Sequence, residues 1–148
     1  MTVRSRIRPL VAGLAVGATT LVGGCTGPAV APKPASLVSV RLANFRIDIP
    51  KTVKAGLVEF DLLGVGPTMH EFNVVRTNRA ANDLPLAADG TVDDQQPHPD
   101  FDHLAEREGV DMGGHATLTV RLAPGHYVVY CNMDGHYQAG MSAGFDVR

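Results

Sequence analysis

Near the end of the chain a cysteine, a histidine and a methionine follow one another at five-residue intervals: Cys131, His136 and Met141, in the run YCNMDGHYQAGM. No other feature limits the fold so tightly. Three side chains this close in sequence can meet at one point only if the backbone between them turns back on itself. Gly135 and Gly140 supply the backbone freedom for such a loop. A thiolate, an imidazole and a thioether form a soft donor set, and soft sulfur donors select copper. With 6 His and 5 Met in 148 residues, composition alone would complete this pattern behind a given Cys with a probability on the order of 0.001.

The chain holds only 2 cysteines, Cys25 and Cys131. Arg4, Arg6 and Arg8 precede an apolar run from Leu10 to Leu21, which closes on Val22-Gly23-Gly24-Cys25. A basic start, a short apolar stretch and small residues at its end predict a signal peptide over 1–24. The competing reading is an uncleaved N-terminal anchor. Val22-Gly23-Gly24-Cys25 resembles the lipobox of bacterial lipoproteins, with Val where Leu is more usual. That resemblance implies cleavage before Cys25, diacylglycerol on its sulfur and palmitate-type chains at a membrane surface. Two or three such chains hold firmly, since each buried CH₂ contributes about 0.8 kcal/mol. No Arg-Arg pair precedes the apolar run, so twin-arginine export is not indicated and metal is loaded after export. Residues 25–36 then read as the lipidated Cys and a Pro/Ala-rich linker, TGPAVAPKPAS, semi-extended and without periodicity.

If Cys25 carries lipid, Cys131 has no partner within the chain. Exported domains usually pair their cysteines. The leftover thiol is a buried inert group, half of an intermolecular disulfide, or a metal ligand. The His and Met that follow it favour the ligand.

Residues 37–148 carry the pattern of short strands. SLVSVRL (36–42), FRIDI (45–49), GLVEFDLL (56–63), EFNVVRT (71–77), ATLTVRL (116–122), HYVVYC (126–131) and GFDVR (144–148) alternate or run apolar between turn signals such as Gly64-Val65-Gly66-Pro67 and Pro124-Gly125. About seven such strands predict an all-β fold, an antiparallel Greek-key β-sandwich. Tyr127, Val129 and Cys131 share one face of their strand, which Val129 marks as the inner one, so the thiol points into one end of the sandwich. Residues 78–111 are polar, acidic and Pro-containing; they predict a long loop insertion with a short helix near Phe101 to Glu108.

A second histidine must complete a three-donor equatorial set. His70 starts the 71–77 strand, at an end of the sandwich that the cysteine loop can share. His115 also starts a strand, on the hairpin next to Cys131. His126 lies at the far end of the Cys131 strand, and His98 and His103 lie in the acidic insertion. Placement favours His70 over His115. A trigonal His₂Cys site with a weak axial Met is the blue-copper arrangement.

These residues resemble a family, the small cupredoxins such as plastocyanin, azurin, auracyanin and rusticyanin. The run APGHYVVYCNMDGHYQAGM is similar to their last strand and ligand loop, with the Tyr-Cys pair and the Ala-Gly-Met ending. The resemblance covers about 37–148 in strand pattern, and its specific part is His70 with 131–141. It implies one copper per chain, cycling between Cu(I) and Cu(II). Cys131 is then the thiolate, His70 and His136 the equatorial imidazoles and Met141 the long axial ligand. It also implies an electron-exit patch at His136, Tyr137 and Ala139. The chain departs from the family at Glu71, where Asn often follows the first His, and in its long acidic insertion.

The function implied is a single-electron carrier outside the cytoplasm, tethered to the membrane through Cys25, monomeric, and serving a redox protein partner. A second class is a copper-binding lipoprotein for storage, delivery or detoxification. A third is an adhesion module in which Cys131 is incidental and no metal binds. The chain lacks the extra His clusters and His-flanked Cys of copper enzymes, so no substrate turnover is expected. The formal charge of −2 and the lack of a basic stripe give no nucleic-acid signature. Residues 83–111 hold nine acids (Asp83, Asp89, Asp93, Asp94, Asp100, Asp102, Glu106, Glu108, Asp111) against Arg107 alone. Such a segment is a solvated loop or a docking surface for a basic partner.

Overall fold

The computed structural model describes residues 33–148. The signal segment, Cys25 and most of the 25–36 linker lie outside the described residues. The rest forms nine strands: β1 (Ser36–Ala43), β2 (Arg46–Asp48), β3 (Thr52–Val53), β4 (Gly56–Gly64), β5 (His70–Arg76), β6 (Asp102–Val110), β7 (His115–Leu122), β8 (Gly125–Tyr130) and β9 (Ser142–Val147). They make a four-stranded sheet in the order β2-β1-β4-β7 and a five-stranded sheet in the order β3-β9-β8-β5-β6. Among the described residues there is no helix.

The alternation in sequence sets which side chains fill the space between the sheets. Val38, Val40 and Leu42 of β1 point inward while Leu37, Ser39 and Arg41 are exposed. Val58, Phe60 and Leu62 do the same from β4, and Phe72, Val74, Tyr127, Val129, Phe145 and Val147 meet them from the other sheet. Phe60 is the hinge of this packing, its ring 5.2 Å from Phe72 and 6.2 Å from Phe145. Each such fully buried side chain contributes about 1.5–3 kcal/mol relative to exposure.

Two pairings differ from the wholly antiparallel arrangement expected. β1 runs parallel to β4, and β3 parallel to β9, so both sheets are mixed. Parallel neighbours need a crossover rather than a tight turn. Here the chain makes it by pairing β2 back on β1 and then crossing to the other sheet as β3.

The insertion is also corrected. Residues 102–110, expected as loop with a short helix, form β6, which pairs antiparallel with β5 at the edge of the second sheet. Only 78–101 is irregular, with isolated bridges Leu86↔Val92 and His98↔Phe101. This segment covers the outer face of the second sheet. Leu84 and Val92 pack with Val75, Val128, Tyr130 and Tyr137 into a second small core, flanked by Ala81 and Phe101. β5 and β8 are thus buried on both faces, which explains the unbroken apolar run YVVY of β8 and, in β5, Phe72, Val74 and Val75 around the buried Asn73.

Candidate metal centre

The second sheet fixes where the candidate donors meet. β5 begins at His70, and β8 ends one residue before Cys131. These strands are antiparallel neighbours with Asn73 opposite Tyr130, so the start of one lies beside the end of the other. Beyond Cys131 the chain folds into consecutive turns. His136 N–H donates to Met133 C=O at 2.9 Å, Ala139 N–H to Gly135 C=O at 3.0 Å and Gly140 N–H to Tyr137 C=O at 2.8 Å. Gly135 (φ 75°) and Gly140 (φ 97°) occupy backbone that other residues rarely adopt. The loop closes on itself: Met141 N–H donates to His136 C=O at 3.0 Å, and Cys131 N–H to Met141 C=O at 3.1 Å.

This brings His70, Cys131 and His136 together, with one donor atom of each within 4.8 Å of the others. Cys131 Sγ lies 3.3 Å from His136 Nδ1, and the two imidazole centroids are 5.2 Å apart. His70, Cys131 and Met141 are fully buried and His136 is 9% exposed. Both ring nitrogens of His70 are buried without a hydrogen-bond partner among the described residues. A buried polar atom left unpaired costs about 1–3 kcal/mol, so a site built this way is matched to something that takes up the lone pair.

The electrostatics suit a cation. Burial, then the neighbouring His136, lowers the pKa of His70, which keeps the ring neutral and its lone pair free. Burial pushes the Cys131 thiol up, and the backbone N–H groups of Glu71 and Met133 pull partly against it. The Glu71 N–H stands 3.3 Å from Cys131 Sγ. The Glu71 side chain therefore does not prevent a backbone donor from reaching the sulfur. In the metal-free protein Cys131 is a thiol at neutral pH, and binding a metal there releases its proton.

The other histidines lie elsewhere. His115 is exposed and 3.9 Å from Asp61 Oδ1, His126 bonds Asp146 at 2.9 Å, His98 sits 3.0 Å from Asp93 and His103 3.3 Å from Asn73. Tyr137, read from the sequence as part of the exit patch, is buried. It is only 7% exposed, and its hydroxyl accepts from Leu84 N–H at 2.9 Å and donates to Ala81 C=O at 3.0 Å. Tyr137 faces the insertion, whereas Ala139 is exposed.

Sequence reasoning passed over three neighbours of the site. Phe45, half exposed, sets its ring edge-on to His136 with centroids 5.3 Å apart. Gly66 approaches so closely that a Cβ there would stand 2.8 Å from His70 Nε2. Asn132 turns its amide into the insertion. None carries a short-range signal, because each contact spans at least 40 residues or a turn between strands.

No family model and no curated protein matches this sequence. Solved structures do resemble the fold. Auracyanin B is 23% identical, with 80% of this chain and 93% of that one aligned at a TM-score of 0.56. Auracyanin A, a "blue" copper protein from Chloroflexus aurantiacus, is 19% identical over 78% of this chain and 100% of its own, with a TM-score of 0.55. Rusticyanin from Thiobacillus ferrooxidans is 18% identical over 78% and 79%, with a TM-score of 0.53. The fold is the cupredoxin β-sandwich.

Proposed function

We propose that this chain is a type 1 copper protein that carries single electrons between redox partners outside the cytoplasm. One observation carries the reading: His70, Cys131 and His136 converge on one buried point where both nitrogens of His70 have no partner among the described residues. His70, Cys131 and His136, with Met141, would hold the ion. Bound there, copper supplies a one-electron couple between Cu(I) and Cu(II). The chain supplies the rest. Two sheets and a self-bonded loop hold the donors, so their positions change little between charge states. Burial excludes water, and the Glu71 and Met133 N–H groups stabilise negative charge on the sulfur.

His136 is the candidate donor nearest the surface, and it and Ala139, with Phe45 beside them, form the face through which an electron leaves. The acidic insertion faces a partner with a basic docking surface. The signal and lipobox patterns support a lipid anchor at Cys25 that holds the domain, residues 37–148, at the outer side of the cell membrane, and the carrier we propose is a monomer. A copper carrier for storage, delivery or detoxification uses the same donors, and reversible cycling separates the two.

The test is a visible spectrum of the full chain in detergent after Cu(II) addition, for wild type and Cys131→Ser. An intense thiolate-to-copper band in wild type alone is expected, with reversible voltammetry. A colourless wild type that binds no copper removes the reading, and a blue protein that does not cycle favours the carrier.

A further inference from the structure

The irregular part of the insertion reaches the loop between Cys131 and Met141 at two places, beside Cys131 and beside His136. Asn132, next to Cys131, accepts from Val92 N–H at 2.7 Å and donates to Val92 C=O and Asp94 Oδ2, both at 3.1 Å. Tyr130, on the other side of Cys131, donates its hydroxyl to the same Asp94 carboxylate at 3.0 Å. Tyr137, next to His136, bonds Leu84 and Ala81, and Gln138 donates to Gly90 C=O at 3.2 Å. A loop whose only bonds were its own turns would be free to tilt on the sandwich. Here every residue that flanks Cys131, and the one that follows His136, is held by residues 81–94.

We propose that segment 81–94 is an outer brace of the ligand loop, and that Asn132 and Tyr137 are positioning residues that fix Cys131 and His136 through it. This rests on the copper reading for its redox consequence, but the brace itself is a property of the metal-free fold. Side-chain bonds to backbone groups buried from water are costly to leave unmade. Tyr137 and Tyr130 also pack their rings edge-on, centroids 6.2 Å apart, against Leu84 and Val92. The brace thus joins an apolar seal to directional bonds, and directional bonds choose one loop position among those an apolar contact alone would permit.

The experiment is hydrogen exchange, read by mass spectrometry on the full metal-free chain, for Asn132→Ala, Tyr137→Phe and a Val38→Ala control that weakens the distant core. The two brace variants are expected to speed exchange in peptides covering 131–141 by about tenfold or more and leave β1 and β4 unchanged, since local opening is set by the bonds of that segment. The control is expected to speed exchange everywhere alike. Unchanged exchange in 131–141, or a rise no larger there than in β1 and β4, overturns the brace. With copper bound, the same variants are expected to change the intensity ratio of the visible thiolate-to-copper bands and the reduction potential, which Val38→Ala leaves alone. A potential and spectrum unmoved in both brace variants also overturn the positioning role. A wild type that takes up no copper would instead remove the copper reading and leave the exchange result standing.

Discussion

Gly66 leaves no room beside His70. A Cβ at this position would meet Asn44 Oδ1 at 2.5 Å and Asn44 N at 3.0 Å as well as His70 Nε2 at 2.8 Å. The Asn44 side chain is itself held, accepting from the Thr68 hydroxyl at 2.8 Å. Gly66→Ala must therefore displace the imidazole or the Asn44 backbone. Overpacking of this kind costs about 1–3 kcal/mol. We expect a lower denaturant midpoint for the metal-free protein and weaker copper binding; an unchanged midpoint would show that the ring yields freely. The same imidazole sets a pH limit. Because its pKa is depressed below the ordinary 6.5, its contribution to stability is present above that value and is lost as pH falls through the folded pKa. Cys131 acts at the other end. Its pKa is raised above 9.0, so its contribution is present below that value and lost as pH rises through the folded pKa. The metal-free protein should be most stable between these limits. Denaturation against pH checks this, with His70→Gln flattening the acid limb and Cys131→Ser the alkaline one; limbs unmoved by these variants would assign them to other groups.

At the scale of elements, the end of β4 is fastened to the turn that leads into β7. Gly64 N–H donates to Gly114 C=O at 3.0 Å, and Gly113 N–H donates back to Gly64 C=O at 2.8 Å. The Asp111 carbonyl fills the space a Gly64 side chain would need. Backbone cannot turn aside as a flexible side chain can, so Gly64→Ala should lower stability by roughly 2 kcal/mol or more, read as a shifted denaturant midpoint with unchanged slope. A midpoint equal to wild type would mean that the 111–114 turn adapts. These elements were unequally legible in the sequence. β1, β4 and β7 alternate because one face of their sheet meets solvent, and β5 and β8 stand out as apolar runs. β6 showed neither sign. DHLAEREGV is charged, pairs on one side only, and its Leu, Ala, Glu and Arg residues favour helix in isolation; its strand is made by backbone bonds to β5. β3 has two residues, too few for any period. At the site, the loop spacing drew attention to Cys131, His136 and Met141, and strand position to His70. Phe45, Gly66 and the direction of Tyr137 depend on how distant segments approach, which no local pattern encodes.

For the whole molecule the decisive feature is where the acids gather. Glu71, Asp89, Asp93, Asp94, Glu106 and Glu108 line one cleft of about 420 Å³, together with Asn132, which follows Cys131 in the chain. Burial first, and then the like charges of Glu108, Glu106 and Asp94, raise the pKa of Glu71. A field of one sign concentrated in a cleft draws oppositely charged partners and is weakened by salt. The copper-loaded protein should therefore be oxidised faster by a cationic cobalt complex than by an anionic iron complex of similar driving force. The cationic rate should fall as salt rises and the anionic rate should not. Glu106→Gln with Glu108→Gln removes two charges from side chains that are not candidate donors, so it should slow the cationic reaction several-fold at low salt while leaving the visible spectrum alone. Stopped-flow traces at two salt concentrations distinguish the outcomes. If the cationic rate ignores both salt and the double substitution, small reagents exchange electrons only at the His136 face, and the acidic cleft is a solvated surface with no part in steering.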